Sequence, residues 1–127
     1  MEISIVGGGV GGLTLGLMLH EAGIPCRVYE SAPELKALGV GINLLPHASK
    51  EMARLGLEAE LAKVAITTSE IGYYNRFGQF IYRDLAGRHA GYDYPQFSIH
   101  RGDLHAVLAA AFRQRVGADR LMLGWRC

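Results

Sequence analysis

The chain has 127 residues, half of them hydrophobic and a fifth charged, the balance of one globular domain. Lys plus Arg number 13 against 12 Asp plus Glu, a formal charge of +1, and no basic run is long enough to suggest nucleic acid or an anionic membrane as partner. Cys26 and Cys127 have no CxxC or metal spacing and the five histidines form no HExxH pattern, which argues against a metal site and for free thiols in a reducing cytoplasm.

In chain order, Ile3-Ser4-Ile5-Val6 is a short β-branched run ended by glycines and predicts a buried parallel strand. Leu13 to Glu21 carries helix formers, stopped by Gly23 and Pro25. The apolar stretch Ile3 to Leu19 lacks a basic leader and is broken by glycines, and His20 and Glu21 end it too early to span a bilayer. Cys26 to Glu30 predicts the next strand, completing a right-handed βαβ unit. Residues 31–45 read as a loop with a short extended piece at Ile42-Asn43-Leu44. Pro46 suits the first position of a helix running to Leu55 and ended by Gly56, with a second short helix over Leu57 to Val64.

Ile71–Tyr74 and Phe80–Tyr82 flank Asn75-Arg76-Phe77-Gly78, which predicts an antiparallel hairpin with a four-residue loop. Its aromatics, Tyr73, Tyr74, Phe80 and Tyr82, read first as cross-strand packing and second as the border of an aromatic substrate. Residues 84–96 are turn-rich, Phe97 to Ile99 predicts a strand, and Arg101 to Arg115 an amphipathic helix with Leu104, Val107, Leu108 and Ala111 on one face. Leu121 to Leu123 starts a last strand.

The chemistry centres on Gly7-x-Gly9-x-x-Gly12, placed between the first strand and first helix. Gly7 permits the tight turn, Gly9 lets the backbone approach a pyrophosphate, and Gly12 lets the helix pack closely on the strand. The helix N-terminus offers free N–H groups and a positive dipole end to phosphates. Glu30 ends the second strand, where a carboxylate can accept hydrogen bonds from both ribose hydroxyls and disfavours a 2′-phosphate. These features predict the ADP half of a dinucleotide and leave FAD and NAD both open. The histidines read as surface or capping residues, with only His100, beside Arg101, near enough in sequence to approach a cofactor.

Three segments decide further: GGGVGGLTLGLMLHEAGIPCRVYES, LGVGINLLPHASKEMARLGL and SIHRGDLHAVL. Together they resemble the N-terminal part of single-component FAD-dependent aromatic hydroxylases, the flavoprotein monooxygenases that include para-hydroxybenzoate, salicylate and phenazine hydroxylases. The segment GVGINLLPHA and the stretch from Tyr94 to Leu104 are most similar to the phenazine-1-carboxylate hydroxylase type. The resemblance implies an α/β fold: a Rossmann-like, glutathione-reductase-like FAD-binding domain, truncated, with a β-hairpin insertion from the substrate domain. Residues 1–127 would be the N-terminal part of that domain, with 65–99 contributing to the substrate-side sheet.

The resemblance also implies FAD as cofactor, NAD(P)H as transient co-substrate, and O2 with a small aromatic substrate as reactants. Gly7, Gly9 and Gly12 would face the pyrophosphate and Glu30 the adenosine ribose; Gly41 and Ile42, in a loop from Gly39, would pass near the flavin and ribityl chain. Arg101 matches the arginine of the family's R-x-D-L signature, which contacts the FAD phosphate and ribityl region. A cation in a first helical turn opposes the helix dipole, so a bound anion would explain it. The backbone at Cys127 would lie near the adenine. Catalytic residues are not identified. The family's later Asp-Gly and Gly-Asp motifs do not occur within these residues, so the isolated chain is expected to be catalytically incomplete, with a sheet edge near Leu121 to Cys127 and an uncovered sheet face prone to self-association. The rival readings are an NAD-binding dehydrogenase or reductase, and a non-catalytic nucleotide-binding remnant.

Overall fold

The structure, a computed structural model, describes residues 1–36 and 39–126. The chain divides into two compact units, one formed by Met1–Val40 with Arg101–Cys127 and the other by Gly41–His100.

In the first unit, β1 (Ile3–Val6), α1 (Val10–Glu21) and β2 (Cys26–Glu30) form the anticipated βαβ motif. β1 and β2 pair in parallel from Ile3↔Cys26 to Val6↔Tyr29. Further along this unit, β8 (Leu121–Leu123) adds to the other side of β2, with Val28 opposite Leu121. The order β1-β2-β8 leaves β1 as well as β8 at a sheet edge, a second edge beyond the one expected near Leu121. One sheet face carries Ile5, Cys26, Val28 and Leu121, all buried. The core of the unit adds Leu13 and Leu17 of α1, and Leu104, Leu108 and Phe112 of α4 (Arg101–Phe112). The two helices touch closely: a Cβ on Gly16 would lie 2.5 Å from the Phe112 ring. The opposite sheet face is partly open: Val6 is 72% exposed, while Arg27, Tyr29 and Met122 are half-buried and Tyr29 meets the Trp125 ring edge-on.

α4 ends at Phe112, where a wider π-type turn over Arg113–Gly117 replaces the expected continuation to Arg115. Val107 is half-buried; its expected place on the apolar face goes to Ala109 and Phe112.

The second unit holds β3 (Gly41–Leu44), α2 (Pro46–Arg54), α3 (Glu58–Val64), β4 (Ile66–Thr68), the hairpin β5 (Glu70–Tyr74) and β6 (Phe80–Leu85), and β7 (Gln96–His100). β7 is the middle strand of an antiparallel sheet, with β3 on one side and β4 on the other. β4 was absent from the sequence reading: it has three residues, and only its pairing with β7 defines it. Gly41 and Ile42 lie in β3, opposite His100 and Ile99, and not in a loop. The hairpin turn is also longer than expected. Asn75 N–H donates to Gln79 C=O at 2.9 Å, and the Asn75 side chain accepts from Phe77 and Gln79, so Gln79 belongs to the turn. Tyr73 stacks on Tyr82 with centroids 4.4 Å apart, and Tyr74 meets Phe80 edge-on, the cross-strand packing that the sequence suggested.

Candidate functional site

The site grows from the end of β1. Gly7 has φ +104°, a left-handed value that strains any residue with a Cβ, so the chain can turn there only as glycine. Its N–H donates to Tyr29 C=O at 2.7 Å. One residue later, Gly8 N–H donates to Glu30 Oε2 at 2.7 Å. The Glu30 stem passes so close that a Cβ on Gly8 would come within 3.0 Å of it. The Gly8 carbonyl lies 2.6 Å from His105 Nε2 on α4. A carbonyl oxygen only accepts, so Nε2 carries the proton in this contact.

Gly9 is the N-cap of α1 and offers no side-chain cap, and α1 has no acid in its first turn. Its first N–H groups therefore keep their donor capacity and the helix keeps its positive end. A Cβ on Gly9 would meet nothing within 4 Å: the space beside this backbone is open, as a cradle for a ligand requires. Gly12 is the reverse. A Cβ there would sit 1.9 Å from the Gly7 carbonyl oxygen, so Gly12 is the point where helix and turn touch.

Glu30 Oε1 accepts from Ala32 N–H at 2.8 Å and from the Ser31 hydroxyl at 3.2 Å. The backbone N–H groups of Ala32 and then Gly8 hold its carboxyl below the usual glutamate range. Three of about four acceptor positions on the carboxylate are thereby used. The remaining place is on Oε2.

Gly8, Gly9, Glu30, Lys36, Arg101 and His105 line a cavity of about 360 Å3. The aliphatic stem of Arg101 runs past Gly39, where a Cβ would lie 3.1 Å from it. Lys36 pairs with Glu34 at 3.0 Å, whereas no carboxylate among the described residues pairs with the Arg101 guanidinium. A guanidinium beside an uncapped helix end is suited to an anion with several oxygens, and Glu30 to a polyol. A smaller space of about 250 Å3 adjoins Gly7 and Glu30 and is lined by Tyr29, Trp125 and Arg126. Cys127, expected near an adenine, lies outside the described residues.

The structure thus brings Gly7, Gly9, Gly12, Glu30 and Arg101 together in the first unit. Gly41 and Ile42 belong to the second. That unit has its own cavity of about 570 Å3, bordered by Lys50, Asp84, Tyr92 and Gln96 among others, and none of the anticipated cofactor residues lies on it. Two contributors escaped the sequence reading. Gly8 occupies a free position of the glycine motif, and His105 reads from sequence as a surface or capping histidine. Its spacing of four from Arg101, which puts both on one face of a helix, was the available signal.

This geometry suits a dinucleotide without choosing the flavin or nicotinamide kind. The model of the FAD binding domain family matches residues 1–117. The chain belongs to the FAD binding domain family.

The chain is 44% identical over 126 residues to the phenazine 1,6-dicarboxylic acid hydroxylase PhzS of Lysobacter antibioticus, covering 98% of this chain and 31% of that protein. It is 37% identical to the 3-amino-4-hydroxybenzoate 2-monooxygenase of Streptomyces cremeus, over 100% of this chain and 32% of the relative. The chain therefore spans about a third of the length of these curated relatives. Among solved structures, the tetrameric form of 2-methyl-3-hydroxypyridine-5-carboxylic acid oxygenase superposes with a TM-score of 0.82 at 22% identity, over 97% of this chain and 31% of that one. Klebsiella pneumoniae HpxO, complexed with FAD and uric acid, gives 0.77 at 23% identity, over 99% and 31%. These likenesses establish a fold shared with both of these proteins. With FAD binding shown by the family match, the NAD-dehydrogenase reading is set aside.

Proposed function

We propose that this chain is the FAD-binding part of an NAD(P)H- and O2-dependent monooxygenase that hydroxylates a small aromatic substrate in the cytoplasm. The observation that carries the proposal is the glycine turn locked between Glu30 and the head of α1, with open space beside Gly9, in a chain of the FAD binding domain family. The names of the relatives, hydroxylases and monooxygenases of phenazine and aminohydroxybenzoate compounds, support the aromatic substrate class. No helix among the described residues is long and apolar enough to cross a membrane.

In this reading Gly7 shapes the turn, Gly9 presents its backbone to the pyrophosphate, and Gly12 brings α1 close enough for its N–H groups to help. Glu30 accepts from the adenosine ribose, and Arg101 neutralises phosphate charge near the ribityl chain. Gly41 and Ile42 pass near the flavin. Residues 65–99 contribute to the substrate-side sheet. When bound, FAD supplies the redox chemistry, and the protein supplies grip, orientation and charge balance. The partly open face of the β1-β2-β8 sheet, with Val6 at its edge strand, favours self-association of the chain as given.

FAD titration tests the core of the proposal. Saturable binding followed by flavin fluorescence, competed by ADP, is the expected result; absence of binding at near-millimolar FAD refutes it. The hydroxylase part needs a longer polypeptide containing this chain. NAD(P)H oxidation stimulated by an aromatic acid, with a hydroxylated product, is required there. The chain as given is expected to show none, and size-exclusion chromatography is expected to show oligomers.

A further inference from the structure

We propose that His105 is a positioning residue for the cofactor pyrophosphate: it clamps the Gly8–Gly9 peptide and thereby aims the Gly9 N–H. The proposal rests on the FAD reading above. Three consecutive peptide planes lead into α1, and each is held from a different place. Gly7 N–H, in the first plane, is held by Tyr29 C=O on β2 at 2.7 Å. Gly8 N–H, in the second, is held by the Glu30 carboxylate at 2.7 Å. The third plane joins Gly8 to Gly9, and its carbonyl is held by His105 Nε2 at 2.6 Å.

A trans peptide is flat, with its C=O and N–H pointing opposite ways. Gripping the Gly8 carbonyl therefore fixes the direction of the Gly9 N–H, away from the imidazole. No hydrogen bond among the described residues engages that N–H, and it sits at the head of α1 beside the other unpaired donors of the first turn. Without a clamp this plane can flip: like the plane before it, it is bounded by glycine on both sides, and glycine reaches the flipped dihedrals without steric cost. His105 is well placed for the task because α4 is rigid where it matters: Leu104 and Leu108, its neighbours along the helix, are fully buried. The same helix face carries Arg101 one turn earlier, so one rigid element delivers both a charge and a backbone alignment to the cavity.

The test is calorimetric titration of the 127-residue chain with FAD, ADP and adenosine. His105→Phe keeps a ring and removes the donor. It should weaken FAD and ADP by about tenfold, the weight of one hydrogen bond, and leave adenosine within about twofold. His105→Gln restores an N–H and should recover most of the loss. His105→Phe binding ADP as tightly as wild type overturns the proposal, as does an equal loss for ADP and adenosine. Should His105→Phe fail to fold, nitrogen-15 NMR of the wild-type imidazole still decides: a proton on Nε2 is expected, and one on Nδ1 alone overturns the clamp. A wild-type chain that binds neither FAD nor ADP removes the cofactor reading and this proposal with it. Wild-type binding that His105→Phe leaves intact removes this proposal alone.

Discussion

Gly12→Ala offers a sharp test because the added atom meets backbone rather than a movable side chain. The new Cβ would lie 1.9 Å from the Gly7 carbonyl oxygen, 3.1 Å from the Gly7 carbonyl carbon and 3.3 Å from Ile5 Cγ2. An unstrained carbon–oxygen contact is more than an ångström longer, so either α1 must lift from β1 or the Gly7 turn must re-form. Alanine gains up to about 1 kcal/mol of helix propensity over glycine. Overpacking costs about 1–3 kcal/mol, and more where the obstacle cannot rotate away. The clash prevails, with a net loss of about 2 kcal/mol or more. For a domain of this size that is roughly 6–12 °C in Tm. Gly11→Ala is the control: it adds the same atom one residue earlier in the same helix and meets nothing within 4 Å. It should be neutral or slightly stabilising. Thermal and urea unfolding followed by circular dichroism give both numbers. Gly12→Ala as stable as Gly11→Ala would show that the close approach of helix and turn is not a constraint on this fold.

Gly9→Val should retain the fold, since its Cβ enters open space, yet lose FAD and ADP binding; circular dichroism with a flavin titration separates the two effects. Glu30→Gln should weaken ADP by about 1–2 kcal/mol, the scale of one charge-assisted hydrogen bond, as read by calorimetry. Glu30 also sets an acid limb. Its folded pKa is lowered, so its stabilisation is full above the unfolded glutamate value near pH 4.3 and is lost as pH falls through the lower folded value. Urea midpoints measured from pH 7 down to pH 3 should fall less steeply in Glu30→Gln than in wild type. Cys26 is buried and its thiol sits 3.6 Å from Gly16 C=O; burial pushes its pKa up, with Arg120 opposing and Glu2 adding smaller effects. In a Cys127→Ser background it should react with a thiol reagent only on unfolding, and reaction at the rate of a free thiol in native buffer would contradict the burial.

Where the sequence punctuates itself, the fold could be read from it. β1 ends at Gly7, α1 stops before Gly23 and β2 starts after Pro25, residues whose backbone limits act locally, so these ends followed from residue type; the start of α1 did not, since the helix begins at Val10, inside the glycine motif, and not at Leu13. β4 has no such boundary. Ile66, Thr67 and Thr68 become a strand because β7, some 30 residues later, offers them a partner. The same holds for the far end of β6, where Leu85 pairs with Glu70. In the site, Glu30 was legible as an acid at a strand end, but its three internal donors were not, since two come from the residues just after it and one from the turn across the sheet. His105 was missed for a related reason: its role needs the Gly8 carbonyl, 97 residues away in the chain.

The pairing of Gly41 with His100 has a consequence for how the molecule assembles. The segment Gly41–His100 interrupts the first unit as an excursion of about 60 residues, and a flexible loop of that length would cost roughly 3–4 kcal/mol to close. It need not act as one. Once β3 and β7 have paired, the departing and returning ends of the excursion are neighbours, and β8 can find β2 as though only a short hairpin separated α4 from the βαβ motif. The inserted unit is thus a staple made of protein: fold it first and the rest of the chain searches a much smaller space. Replacing residues 42–99 by a tight two-residue turn should preserve that benefit, whereas a glycine-serine linker of equal length should forfeit it and slow the formation of the parallel sheet.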